Sequence, residues 1–356
     1  MARVTKRLAE VAKKAGVSEA TVSRVLNGRS GVSAATRTSV LTALDVLGYE
    51  RPTKLRGERG RLVGLVLPEL QNPIFPALAE VVTASLAQRG FTPALCARTI
   101  GGVPERDYVE MLLDHQVSGV VFAGGAYALA TAEHGHYRQL RERRMPVVMV
   151  NAGVPGLGFP HVSTDDAVAV EQAYGHLRSL GHERIGLVTG PEDHVPSRRK
   201  LAAVAAVAGW SDADRDALVE RTTFSMESAR LAATRLMQRG VTGMICASDV
   251  LALGSIRAAR RLGLAVPDDV SVVGFDDSAL MTCTDPPLTT VRQPIELMGQ
   301  AAVDILVHQI EGAAAGTDEL LFEPELVVRG STGRAPARGA GGATGPGPHR
   351  TGAASH

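Results

Sequence analysis

The chain has 356 residues, 45% hydrophobic and 21% charged, enough for two or three compact cores. Cys96, Cys246 and Cys283 are far apart and form no CxxC pair, so neither a disulfide framework nor a zinc site is supported. No apolar run suggests a secretory signal or a bilayer span, so the expected compartment is the cytoplasm. The net charge of +1 conceals a division: through Arg61, 4 Lys and 9 Arg face 5 acidic residues, while the remainder carries −7. A basic head on an acidic body fits a phosphate-binding module joined to a domain that does not touch nucleic acid.

In chain order, Leu8, Val11, Ala12 and Ala15 recur on one helical face, and Gly16 supplies the permissive backbone that ends it. Ser18 stands where an N-cap oxygen is needed, and Val22, Val25 and Leu26 form an answering apolar face. The opposite face of this second helix holds Glu19, Ala20, Thr21, Ser23, Arg24 and Asn27. Short donors, an arginine and an amide suit a helix lowered into a DNA major groove. A third helix is expected from Ser33 to Leu47, burying Val40, Ala43, Leu44 and Leu47. Residues 50–61, ERPTKLRGERGR, are basic and broken by Pro52, Gly57 and Gly60, and read as a linker.

From Leu62 the character changes. LVGLVLP, SGVVFAG, PVVMVN, RIGLVTG, TGMICAS and VSVVGFD are short β-branched runs ending in Gly, Pro, Asn, Ser or Asp. Helical stretches are expected between them at Phe75–Arg89, Ala167–Leu180, Ser225–Arg239 and Asp249–Leu262. That alternation predicts an α/β fold of doubly wound parallel sheets. About 270 residues of it are too many for one sheet, so two Rossmann-like lobes are expected with a ligand between them. From Arg334 onward the tail has no Leu, Ile, Val or aromatic residue, and disorder is expected there.

The phrases VAKKAGVSEATVSRVLNG, GYERPTKLRG, LGHERIGLVTGP, ASDVLALGSIRAARRLGLAVPDDVSVVGFDD and PPLTTVRQP resemble the lactose-repressor family of bacterial transcription regulators. The resemblance runs in order from about Lys6 to Gly330. RLVGLVLPELQNPIFPALAE and HVPSRRKLAA further resemble the maltose and maltodextrin repressors of actinobacteria. It implies a three-helix helix-turn-helix headpiece over residues 1–49 and a hinge over 50–61. A two-lobed periplasmic-binding-protein-like sensor would follow over 62–333, with the disordered tail at 334–356. Its N-lobe would span about 62–163 plus 292–330, and its C-lobe about 164–291. The implied partners are double-stranded operator DNA, a small sugar effector and a second copy of the chain. A tetramer is not expected, because the tail carries no leucine heptad.

The family's base-reading positions fall here on Glu19, Ala20 and Arg24. Arg24 suits the O6/N7 edge of guanine, a bidentate contact worth roughly 1–3 kcal/mol of discrimination. Glu19 would accept from a cytosine amine or simply favour the positive helix end. Ala20 would touch a thymine methyl, while Thr21, Ser23 and Asn27 hold phosphates. The hinge is about three residues shorter than in many relatives. Leu55 matches the leucine that members wedge into the minor groove, or else packs on the sensor.

In the cleft, Phe75 and Phe224 match stacking platforms, with ordinary core as the alternative reading. Asp276, Asp249 and Asn151 sit at strand ends, and for the two aspartates capping competes with ligand binding. The family's ligand-gripping arginine aligns with Lys200 beside Arg199; the cluster could equally open a solvated helix. Lys200 is the only lysine after Lys54, and lysine lacks the planar fork.

No Walker loop, GxSxG elbow or HExxH motif is present, and GGAYALA lacks the lysine and hydroxyl of a phosphate cradle. His134 and His136 lack accompanying metal-ligand spacing and read as a surface loop. No catalytic residue, cofactor or metal is expected. Two alternatives stay open: a family member responding to a purine or another non-sugar metabolite, and a cytoplasmic sugar-binding protein without a regulatory role.

Overall fold

The computed structural model describes residues 2–26, 31–47, 61–99, 101–314 and 316–337. The chain forms two compact units divided between Leu62 and Val63.

The first unit holds three helices: α1 (Ala2–Ala15), α2 (Glu19–Leu26) and α3 (Ala34–Val46). Val11, Ala12, Val22, Val25, Val40, Ala43 and Leu44 make its core, with Leu8, Ala15, Leu26 and Leu47 packed against them. These are the apolar faces that helical periodicity marks. Gly16, at φ 68°, turns the chain out of α1 in a conformation that costs a side chain dearly. Ser18 Oγ accepts from the Thr21 backbone N–H at 3.1 Å, and Ser33 Oγ does the same for Thr36 at 3.1 Å, so both following helices are capped. Ser39 Oγ donates to the Ala15 carbonyl at 3.3 Å, tying α3 to the end of α1. Asn27, Leu55 and most of the 50–61 hinge lie outside the described residues.

The second unit begins with β1 (Arg61–Leu67), α4 (Ile74–Gln88), β2 (Phe91–Ala97), α5 (Glu105–Asp114), β3 (Gly119–Phe122), α6 (Gly135–Glu142), β4 (Val147–Val150) and β5 (His161–Thr164). It continues with α7 (Asp166–Ser179), β6 (Ile185–Thr189), α8 (Val195–Ala208), α9 (Asp212–Leu218), β7 (Val219–Arg221) and α10 (Met226–Gln238). Then come β8 (Gly243–Cys246), α11 (Asp249–Arg261), β9 (Ser271–Asp276), β10 (Thr289–Arg292), α12 (Ile295–Ile310), β11 (Glu319–Phe322) and β12 (Glu325–Val327).

These strands make two six-stranded sheets, in the orders β11-β5-β4-β3-β1-β2 and β12-β10-β9-β8-β6-β7. The central strands β3, β4, β6 and β8 are buried along their whole length, which is why they read as unbroken apolar runs. Each sheet is covered by helices and encloses its own core, so the unit is two lobes. Only β12 runs antiparallel to its neighbour among the paired strands with a determined register.

The chain crosses between the lobes three times, and the crossings move the expected boundaries. Thr164 pairs with Phe322 in the first sheet, so the first crossing lies at Asp165 rather than before residue 164. Arg292 still pairs with Asp276 in the second sheet, and the return to the first lobe follows it. The largest correction is at the end. Residues 325–330, expected in the N-lobe, belong to the second: β12 pairs with β10, and the Val272 N–H donates to the Ser331 carbonyl at 2.9 Å. The expected disordered tail also starts too early, because the Ala335 N–H donates to the Leu180 carbonyl at 2.9 Å. A segment without large apolar side chains is held here by its backbone, which composition does not report. Residues 338–356 lie outside the described ones.

Candidate functional site

Between the lobes lies a cleft of about 900 Å³, within the range of small-molecule sites. It is built at the carboxyl ends of the strands, and two of its non-glycine residues there have a positive φ. Asn151, after β4, has φ 72°, and Asp276, closing β9, has φ 123°. Such values are unfavourable for residues with a Cβ and are found where a site needs a side chain aimed in a particular way.

Asp276 is buried at the centre. Its Oδ1 accepts from Gln293 Nε2 at 2.7 Å and its Oδ2 from Asn72 Nδ2 at 3.2 Å. Burial, and then the nearby Asp249 charge, raise its carboxyl above the ordinary range; the two amides and Lys200 pull the other way. Asn72 belongs to the first lobe, where its Oδ1 also accepts from the Ile74 N–H at 3.3 Å, so it joins the start of α4 to the second lobe. Gln293 lies in the second crossing, and its Oε1 accepts from Thr164 Oγ1 at 2.8 Å.

The aromatic walls come from both lobes. Phe75 stands on the first turn of α4, Phe224 precedes α10, and both line the cleft half-buried. His194 meets the Phe224 ring edge-to-face at 5.2 Å, and its Nδ1 pairs with Ser197 Oγ at 2.9 Å. Burial, and then the Lys200 charge, lower the His194 imidazole to about 4, so it is neutral at physiological pH. Lys200 Nζ pairs with Asp166 and stands 3.8 Å from the centre of the Phe275 ring.

A buried network sets the first-lobe wall. The Glu105 carboxylate accepts from the Ala126 N–H at 3.2 Å, pairs with His136 Nε2 at 3.0 Å and accepts from Tyr137 O–H. Tyr137 Oη accepts from the Tyr127 N–H at 2.9 Å, and Tyr127 O–H donates to the Val150 carbonyl. At Gly125, with φ 143°, a Cβ would meet Glu105 Oε2 at 2.2 Å. The second glycine of GGAYALA therefore serves close approach to this carboxylate, while the first lies against Pro68. His134 and His136, expected in a surface loop, are half-buried braces: His134 Nε2 lies 3.0 Å from the carbonyls of both Ala126 and Leu129.

The structure sorts the candidate cleft residues. Phe75, Asn151, Lys200, Phe224 and Asp276 line it together. Asp249 does not: it is wholly buried, accepts from Thr290 Oγ1 at 2.6 Å and the Ser278 N–H at 2.8 Å, and pins the segment after β9. Its neighbour Ser248 faces the cleft instead. Arg199 does not line it either, because it turns to Glu319 of the first lobe. Asn72, His194, Gln293 and Tyr127 were not singled out by sequence, although Asn72 and His194 stand in the same phrases as Phe75 and Lys200.

In the first unit, Ser18 just before α2 and Glu19, Ala20 and Arg24 on it are exposed, with Thr21 and Ser23 half-buried and Val22 and Val25 turned to the core. One helical face is thus left clear beside a capped N-terminus. Among the described residues no group of side chains fit to hold a metal occurs, and no helix is long and apolar enough to cross a membrane.

Residues 7–52 match the family of bacterial regulatory proteins, lacI family, and residues 174–332 match a periplasmic binding protein-like domain. The HTH-type transcriptional regulator MalR of Streptomyces coelicolor is 51% identical over 338 residues, 94% of this chain and 98% of that protein. Among solved structures, a transcriptional regulator CelR–cellobiose complex is 32% identical with a TM-score of 0.68, covering 91% of this chain and 99% of the other. A lac repressor dimer bound to operator and the anti-inducer ONPF is 29% identical with a TM-score of 0.67, covering 91% and 98%.

Proposed function

Since the chain belongs to the lacI family of bacterial regulatory proteins and is a DNA-binding transcriptional regulator rather than an enzyme, we propose that it is a homodimeric repressor of carbohydrate-utilisation genes. It holds a palindromic operator and is released by a small sugar of the maltose or maltodextrin type. It works in the cytoplasm, on the nucleoid.

The observation that carries the sugar reading is the pairing of flat apolar faces with planar polar groups in one cleft. Phe75 and Phe224 offer faces to pyranose C–H groups, while Asp276, Asn151, Asn72 and Lys200 address hydroxyls. A cleft of about 900 Å³ has room for more than one ring. The 51% identity to MalR and the cellobiose held by CelR favour an oligosaccharide. On the DNA, Arg24 reads guanine, with Glu19 and Ala20 beside it and Ser18, Thr21, Ser23 and Asn27 on phosphates. Leu55 enters the minor groove at the operator centre.

The effector acts only through its differential affinity for two arrangements of the protein. Closing the lobes shifts the dimer-facing surfaces and separates the two hinges, which lowers operator affinity.

A thermal-shift screen against glucose, maltose, maltotriose, cellobiose, adenosine and hypoxanthine tests the reading. A ligand at 100 times its Kd stabilises the folded state by about 2.7 kcal/mol, a readily measured shift. The expected hit is a glucan of two or three units that also weakens protection of an operator fragment in footprinting. Stabilisation by the purine compounds alone would replace the sugar with a nucleobase; unchanged operator affinity at saturating sugar would refute the coupling.

A further inference from the structure

Contacts between the lobes fall into two groups. Asn72 to Asp276 lies in the cleft, whereas Ala130 and Thr131 meet Asp193 next to the lining residues Leu129 and His194 without lining it themselves. Among the described residues, one further contact joins opposite charges across the lobes. Arg199 on α8 donates Nη1 to Glu319 Oε1 at 2.7 Å and Nη2 to Oε2 at 2.8 Å, and neither residue lines the cleft.

The geometry of this pair is demanding. Two parallel N–H···O bonds hold guanidinium and carboxylate in one plane, and a separation of an ångström or two breaks both. Glu319 opens β11, the edge strand of the first sheet, in register with His161 of β5. Arg199 belongs to the second lobe. The bonds therefore favour settings of lobe against lobe close to this one. The next residue on α8, Lys200, faces the cleft and holds Asp166. A single helical turn thus carries one cation towards the ligand space and one across the interface.

We propose that the Arg199–Glu319 pair is an interlobe clasp that sets how readily the two lobes part, and through that the effector concentration at which the regulator responds. The proposal rests on the cleft being the effector site. Because the clasp touches no ligand space, its strength changes the balance between closed and open lobes without changing a single ligand contact. It tilts the balance towards closure without completing it, so weakening it leaves more of the work to the effector and raises the apparent dissociation constant.

The test uses full-length protein with Cys283→Ser and spin labels at Met111→Cys on α5 and Leu231→Cys on α10, both exposed positions on opposite lobes. Dilution with unlabelled protein removes distances between protomers. Electron–electron resonance without any ligand should give a narrow distance distribution for the parent. Arg199→Gln and Glu319→Gln should each broaden it towards longer distances, and the reversal Arg199→Glu with Glu319→Arg should narrow it again. In titrations with maltotriose the single variants should bind about two- to tenfold more weakly, the span expected of a half-exposed bidentate pair. An unchanged distribution in both single variants overturns the clasp, as does broadening that the reversal fails to correct. A protein whose distances respond as stated but which ignores maltotriose in every form keeps the clasp and loses the sugar reading.

Discussion

Gly190→Ala separates the role of the Phe224 face from simple packing. Gly190 follows β6, and a Cβ there would stand 2.5 Å from both Cε2 and Cζ of Phe224 and 2.6 Å from Ser197 Oγ. Carbon atoms in contact sit about 3.5–4.0 Å apart, so the ring must withdraw by about 1 Å or more. Overpacking of this kind costs about 1–3 kcal/mol of stability. The displaced ring also leaves its edge contact with His194 and no longer presents the same face to the cleft. Affinity for the saccharide found in the thermal screen should fall by about tenfold, equivalent to roughly 1.4 kcal/mol. Calorimetric titration and urea melts of the full-length protein supply the two readouts, and operator affinity without effector should stay as in the parent. In a Phe224→Ala background only the contact with Ser197 Oγ is left to resist the added methyl, so its further cost should fall clearly below that in the parent. Parent affinity in Gly190→Ala, or an equal penalty in both backgrounds, would refute the claim that this glycine exists to seat the ring.

Three further outcomes are expected. The His194 imidazole is lowered to about 4 from 6.5, first by burial and then by Lys200. The unfolded chain takes up that proton first, so the contribution is complete above about pH 6.5 and is lost as pH falls towards about 4, reaching roughly 3 kcal/mol. His161, His176 and His182, lowered mainly by burial, push in the same direction. Urea midpoints at pH 7.5 and 5 should therefore converge in His194→Gln relative to the parent; equal pH dependence in both would count against a buried neutral imidazole. Lys200→Met strands the nearly buried Asp166 carboxylate and should cost about 3–5 kcal/mol, most of it recovered by adding Asp166→Asn. Arg24→Ala should lose about 1–3 kcal/mol at one base pair per half-site in an operator-variant binding series; a uniform loss across sequences would make Arg24 a phosphate contact.

Much of the fold is legible in the sequence because its elements meet their signals locally. The headpiece packs through the very stripes that helical spacing marks, and Ser18 and Ser33 cap the helices they precede. The six strands read from apolar runs are all present, being central strands buried on both faces. The elements that escaped are of another kind. HVST in β5 and TTVR in β10 carry polar residues whose partners are distant in sequence, as Gln293 is for Thr164 and Asp249 for Thr290. ELLF in β11 is an edge strand just before the last crossing, with Leu320 and Leu321 exposed.

The cleft was legible to the level of the phrase and not of the side chain. SRRK marks α8 as a helix that brings cations to the site, yet Arg199 and Lys200 are rotated about 100° from each other on that helix. Which one meets the ligand space is decided by what stands opposite each. Asp166 and the Phe275 ring lie far off in sequence and receive Lys200; Glu319, farther still, receives Arg199. The same holds for Asp249 and Ser248, neighbours of which one is consumed by Thr290 and Ser278 and the other faces the cavity. Asp276 is also held by two amides, from Gln293 and Asn72, yet borders the cavity, whereas the donors that hold Asp249 arrive from β10 and the turn after β9 and keep it away. Local pattern thus names the turn of chain that carries function, while the choice within it belongs to tertiary partners that no spacing reveals.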